Sequence, residues 1–375
     1  MRTRRIDLAL QGGGTHGAFT WGVLDRLLED ERIRFGAISG SSAGAMNAVA
    51  LAAGWTLGGR KGARESLRCF WSKVAERLRL ATWADAWLGL MRNGAIDASV
   101  PFRAAFEVAQ AWLAPTLDAN PLRGVLQETV DFDAVRRCTE MQLYIGATEV
   151  RSGQLRIFDG PSLTPDIVLA SACLPTLFPA VMIDGEAYWD GGYMGNPSLL
   201  PLLDYSPNLD LMLVQLHPSR RQALPRTATQ IVERIQEIGF HGSLVKELRS
   251  LAVLQRVVRD EGLDTSRMRM PLLRKAGKLR VHRIEGGEQL DPLAVPRPLQ
   301  SAWHHLLDLR REGHAAADGW LQENAGRLGR RGTVDLIAEY LGNGGRASPP
   351  PPGPDTSRRA SPGPAAAPAT GAASR

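Results

Sequence analysis

The sequence predicts an α/β protein with a mostly parallel central sheet, and three observations carry that prediction. Short apolar runs at 6–10 and 33–39 have the length and composition of inner strands. Each runs through a glycine-containing turn into a helical pattern. Phe19, Val23, Leu24, Leu27 and Leu28 share one face of the first helix, and small or apolar residues fill 42–53. The same alternation returns after Asn120. Strand, helix, strand, helix in this order is the signature of parallel strands joined by helical crossovers.

Composition sets the outer limits. A chain of 375 residues holds one large domain or two ordinary ones. Hydrophobic content of 44% and charged content of 22% are those of a globular protein. Cys69, Cys138 and Cys173 lie far apart and form no Cys-x-x-Cys pair. That argues against a disulfide framework or a zinc site and fits a reducing, cytoplasmic compartment. The basic N-terminus reaches Gln11 and glycines too soon for a signal peptide. No stretch approaches the ~20 apolar residues of a membrane span. The formal charge is +6, of which the tail 344–375, with four arginines and one aspartate, supplies half. A nucleic-acid partner is not expected, because a high isoelectric point alone is no basic stripe. Residues 246–283 hold eleven Lys/Arg against four Asp/Glu. They read either as a solvated helix face or as a surface for anionic headgroups.

The middle of the chain, 55–122, reads as a helical insertion or cap, with Trp55, Trp71, Trp83, Trp87 and Trp112 among its apolar residues. These aromatics are either core between helices or an interfacial surface. Beyond it, 121–130 and 132–137 are short helical pieces, 141–150 is a strand, and 154–158 is its hairpin partner. Thr164 caps a helix over 164–172 with Pro165 at its first position. Strands are expected near 181–183, at 209–216 and at 279–284, and helices over 227–259, 303–328 and 334–341. The organisation is therefore an α/β domain over 1–220, a mainly helical extension packed on it over 221–343, and a disordered Pro/Ala-rich tail over 344–375.

Chemistry concentrates in three places. Gly40-Ser41-Ser42-Ala43-Gly44 joins the second strand to the second helix. A serine at the apex of so tight a turn points its hydroxyl outward, and the flanking glycines let strand and helix approach. Ser42 is the candidate nucleophile. Gly12-Gly13-Gly14-Thr15-His16-Gly17 lies between the first strand and helix. As a dinucleotide loop it would need an acidic residue ending the second strand, and that strand ends in the serine turn instead. A P-loop would need Gly-Lys-Ser/Thr. Consecutive amides at a helix N-terminus can donate to an oxyanion. The third place is Asp190-Gly191-Gly192 after an extended segment. A carboxylate is a weak base in water, with a pKa of about 3.9, and becomes useful when held in a dry site. None of the six histidines after Ser42 is singled out by its context.

Together these segments resemble the patatin-like phospholipase family. The glycine loop at 12–17, Gly-x-Ser-x-Gly at 40–44 and Asp-Gly-Gly at 190–192 occur in the family's order, and Ala170-Ser171-Ala172-Cys173-Leu174-Pro175 resembles its segment before the aspartate. The resemblance covers about 5–220, and the remainder looks like an extension of a bacterial branch. It implies a three-layer α/β/α sandwich and a Ser–Asp dyad without histidine. Ser42 would attack the acyl carbonyl, Asp190 would act as general base, and Gly12, Gly13 and Gly14 would supply the oxyanion hole. Gly17, Gly40, Gly44, Gly191 and Gly192 would support the motifs. It further implies a lipid acyl-ester substrate met by peripheral membrane contact, with no cofactor and no metal. One departure stands out. Where the family usually has Arg or Lys, this chain has His16, which would contact an anionic headgroup fully only when protonated, near or below about pH 6.5. Two other readings stay open: an esterase for non-phospholipid esters, including hydroxyalkanoate polymers, and a non-catalytic lipid-binding regulatory module.

Overall fold

The computed structural model describes residues 3–80, 120–175, 178–216, 218, 224–287 and 302–342. The tail from Gly344 and the part of the tryptophan-rich segment with Trp83, Trp87 and Trp112 lie outside the described residues.

One sheet organises the molecule. Its strands are β1 (Arg4–Leu10), β2 (Ile33–Gly40), β3 (Gln142–Glu149), β4 (Leu155–Asp159), β5 (Val181–Ile183), β6 (Glu186–Asp190), β7 (Asp210–Gln215) and β8 (Arg280–Glu285). They lie in the order β5-β6-β3-β2-β1-β7-β8, with β4 paired to β3. The run β3-β2-β1-β7-β8 is parallel throughout, and β4, β5 and β6 add antiparallel pairs. The strands are apolar on both sides because both faces are covered. Ile6, Leu8 and Leu10 of β1, with Met212 and Val214 of β7, enter one core. Ala9, Leu211 and Leu213 point into the other.

The first core is closed by α1 (Gly17–Glu29), α2 (Ala43–Leu80), α3 (Pro121–Thr129), α4 (Phe132–Arg136) and α5 (Pro165–Ser171). The second is closed by α6 (Leu200–Asp204), α7 (Ala228–Asp260), α8 (Pro271–Ala276) and, near the C-terminus, α10 (Leu336–Leu341). The helix α9 (Ala302–Asn324) returns to the first face, where Trp303 stacks on Trp21 of α1 at 6.0 Å between ring centroids. The fold is therefore a three-layer α/β/α sandwich. Its C-terminal part is woven into the sheet, because β8 lies in register beside β7 from Asp210↔Arg280 to Gln215↔Glu285.

The helix expected at 42–53 is the first arm of α2, which breaks at Gly58 and Gly59, and its second arm opens the helical insertion expected from 55. The second arm is core: Ala63, Leu67, Phe70, Trp71 and Val74 are buried, and the Trp71 indole donates to Asn47 Oδ1 at 3.0 Å. Thr164 caps α5 as its sequence predicts, its side chain accepting from the Ile167 amide.

Candidate active site

The serine turn has the strained backbone that its glycines foretell. Ser42 sits at φ 54°, in the left-handed region that costs an L-residue about 1–2 kcal/mol. The surroundings hold it there. The Ser42 amide donates to both the carbonyl and the hydroxyl oxygen of Ser171, each at 3.0 Å. The Ser41 hydroxyl donates to the Gly195 carbonyl at 2.5 Å, and the Ser39 hydroxyl to the Ser198 carbonyl at 2.6 Å. Gly44 is required by space, since a Cβ there would meet the Leu10 carbonyl oxygen at 2.1 Å. Gly40 lies against it, and Gly17 opens α1 against Ala43.

Strand β3 brings the aspartate to the serine. On one side β3 pairs with β4 through Tyr144–Thr148. On the other it pairs first with β2, up to Gly40↔Ile145, and then with β6, from Ala147↔Asp190. The second strand leaves at the serine turn, and β6 takes over its place on β3 almost at once. Asp190 thus lands beside Ser42 despite their separation in sequence. Gly191 fits tightly behind it, a Cβ there falling 2.1 Å from the Gly146 carbonyl oxygen.

Asp190 is fully buried. Its amide donates to the Cys173 carbonyl at 2.8 Å, and its own carbonyl accepts from the Thr148 hydroxyl at 2.8 Å. Oδ1 accepts from the Gly192 amide at 2.7 Å, whereas buried Oδ2 completes no hydrogen bond of standard geometry. Burial pushes the carboxyl up to about 7. The Gly192 amide and the Ser42 hydroxyl pull against that rise, and no imidazole is among the groups acting on it. The result is a buried carboxylate that meets the hydroxyl of a half-buried serine and titrates near neutrality.

The glycine loop differs from expectation at Gly12. Its amide donates to Asn196 Oδ1 at 2.6 Å, and Asn196 Nδ2 returns a 3.3 Å bond to the Gly12 carbonyl. An amide so engaged is not available to an oxyanion, so Gly12 anchors the loop and the donor role assigned to it is corrected. The Gly13 and Gly14 amides donate to no acceptor among the described residues. His16 is half-buried at the N-terminus of α1, its amide donating to the Gly13 carbonyl at 3.1 Å.

Sequence reasoning passed over Asn196 and gave Ser171, Gln11 and His241 no role of their own. Asn196 is followed by Pro197, a dipeptide that reads only as a turn signal. The buried Gln11 accepts from the Leu216 amide at 2.7 Å and lies 3.2 Å from His241 Nδ1. Burial moves the His241 imidazole below its ordinary range.

A serine at a strained strand-to-helix turn, an adjacent buried carboxylate and a loop of open amides thus meet at one place on the α/β/α sheet. The patatin-like phospholipase model matches residues 8–203, and the chain belongs to that family. A search of curated proteins finds no match. Among solved structures, the chain is similar to VipD from Legionella pneumophila, at 15% identity over 85% of this chain and 67% of that one, with a TM-score of 0.39. It is also similar to ExoU of the ExoU–SpcU complex from the Pseudomonas aeruginosa type III secretion system. There the identity is 17% over 91% of this chain and 75% of that one, with a TM-score of 0.27. Likeness at this distance bears on neither substrate nor partner. No helix among the described residues is long and apolar enough to cross a membrane.

Proposed function

We propose that the protein is a serine lipid acyl hydrolase that cleaves carboxylic esters through Ser42 and Asp190. The observation carrying this reading is the Ser42 hydroxyl acting on the buried Asp190 carboxylate, whose Oδ2 meets no other donor among the described residues. Ser42 Oγ attacks the acyl carbonyl while Asp190 takes its proton. The developing oxyanion falls to the Gly13 and Gly14 amides, at a helix N-terminus that favours negative charge. The tetrahedral intermediate expels the alcohol, which leaves with the proton that Asp190 holds. Water then attacks the acyl-enzyme, again giving a proton to Asp190, and the acid departs as Ser42 is restored. A base whose carboxyl titrates at about 7 suits both halves of this cycle at neutral pH.

Asn196 is a positioning residue in this scheme, since it locks the loop whose next two amides hold the oxyanion. Asn196→Ala should lower kcat about 10- to 100-fold with little change in KM. Asn196→Asp, which keeps an acceptor for the Gly12 amide, should recover part of the loss. Steady-state kinetics on a soluble ester separates the two constants. A raised KM with unchanged kcat would place Asn196 in binding.

The substrate class is tested with a panel of phospholipid, lysophospholipid, triacylglycerol and hydroxyalkanoate oligomer, scored by released acid. Wild type should release fatty acid from at least one lipid, and Ser42→Ala from none. Turnover of the hydroxyalkanoate alone would move the assignment to the esterase reading. Equal release by both proteins would remove Ser42 from the chemistry.

A further inference from the structure

The first half of α7 carries its polarity the wrong way round. At 3.6 residues per turn, Ile231, Val232, Ile235 and Ile238 share one stripe with Ala228 and Gly239. That stripe faces outward, the four aliphatics being 44%, 53%, 63% and 54% exposed. The charged pair is turned inward. Arg234 and Glu237 meet at 2.9 Å, with the Glu237 side chain only 9% exposed. The second half of the same helix is arranged conventionally, with Leu244, Leu248 and Leu251 in the core. A stripe of β-branched aliphatics left in water forgoes the stabilisation of burial, and a patch of this kind signals an occupant.

The opposite, inward face of the same helix meets the turn that holds Asp190. The Phe240 ring lies 4.6 Å from that of Tyr193 and also packs over Gly192, whose amide holds Asp190. Tyr193 and Met194, the residues just after Asp-Gly-Gly, are themselves exposed. Leu224, 83% exposed, extends the apolar surface before the helix and stands two residues from the exposed Arg226. Beyond the stripe, helical spacing brings Lys246 and Arg249 onto the same outward face, both exposed. The surface is thus aliphatic along the stripe and cationic at its ends.

We propose that this outer face of α7 is an interfacial docking surface that seats the protein on an anionic phospholipid bilayer, the same helix packing its inner face on the catalytic turn. The choice of a lipid occupant rests on the lipid hydrolase reading. The charge arrangement fits it, because exposed cations flank an aliphatic stripe as headgroup phosphates flank an acyl layer. Aliphatics enter the acyl boundary while Arg226, Lys246 and Arg249 meet headgroup phosphates. The helix lies in the plane of the surface, since no described helix is apolar enough to cross a membrane.

The test uses the full chain in the Ser42→Ala form, so that no lipid is consumed. It is sedimented with phosphatidylcholine vesicles with and without phosphatidylglycerol. The parent should bind, more tightly with phosphatidylglycerol and less tightly in high salt. Adding Ile231→Glu and Ile235→Glu should weaken partitioning about tenfold or more, and the milder Ile235→Gln about threefold, with melting temperatures close to the parent's. A parent that does not sediment with vesicles, or variants that bind as well as it does, would overturn the proposal. So would a parent that is dimeric in solution and variants that are monomeric, because a second copy would then cover the stripe. Failure of the hydrolase reading is seen separately, as equal lipid turnover by wild type and Ser42→Ala, and leaves the vesicle result standing.

Discussion

Asp190→Asn is expected to lower kcat about 1000-fold and at the same time to stabilise the protein above neutral pH. Both effects have one cause, the burial of a carboxylate whose Oδ2 meets no donor but the Ser42 hydroxyl among the described residues. The carboxyl sits well above its ordinary value of 3.8, at about 7. A folded-state value raised in this way means that the neutral form is the better tolerated one. Its contribution to stability is complete below about pH 4 and is lost as the pH rises to and through about 7. Asparagine never charges and keeps an acceptor for the Gly192 amide. The variant should therefore match wild type in melting temperature at pH 4 and exceed it at pH 8. The gain in stability is at most about 1.4 kcal/mol for each pH unit that separates the folded and unfolded carboxyl values. Wild-type kcat/KM should in turn rise through about pH 7 and level off, as the base loses its proton. Melts at the two pH values and a pH–rate profile read these outcomes. Near-normal turnover by the variant, or a flat profile, would assign the base elsewhere.

Ser42→Ala should abolish labelling by a fluorophosphonate probe and lower ester turnover about 10,000-fold or more. Equal labelling of the two proteins would end the nucleophile assignment. The backbone supplies an internal control. Ser42 is held at φ 54°, where alanine is strained as serine is and glycine is not. Ser42→Gly should therefore be equally inactive yet about 1 kcal/mol more stable than Ser42→Ala. A turn that had no need of left-handed geometry would give no such difference. The comparison thus tests whether strain is stored at the nucleophile, independently of the chemistry.

The local signals in the chain were legible because they report local physics. Short apolar runs marked β1, β2 and β7, helical periodicity marked α1 and α7, and the Thr164-Pro165 pair marked the start of α5. Glycines at 40 and 44 disclosed a tight turn, since only a missing Cβ lets α2 begin against the end of β1. Gly12 was misjudged for the same reason that it was noticed. A glycine in such a loop announces close approach, but what approaches is the Asn196 side chain from far along the chain.

By itself, then, the sequence determined the α/β class, the family, the serine turn and the aspartate that opens Asp-Gly-Gly. These depend on spacing along the chain and on which residues tolerate a given backbone. The tertiary structure alone decided that β6 replaces β2 on β3 just beyond the turn, which is what sets Asp190 beside Ser42. It alone decided that Oδ2 is left to the Ser42 hydroxyl in a dry site, and that the aliphatic stripe of α7 faces out while its charged pair faces in. Strand order, register and the outward face of a helix are set by packing between elements far apart in the chain. Local periodicity is the same whichever way a helix is turned.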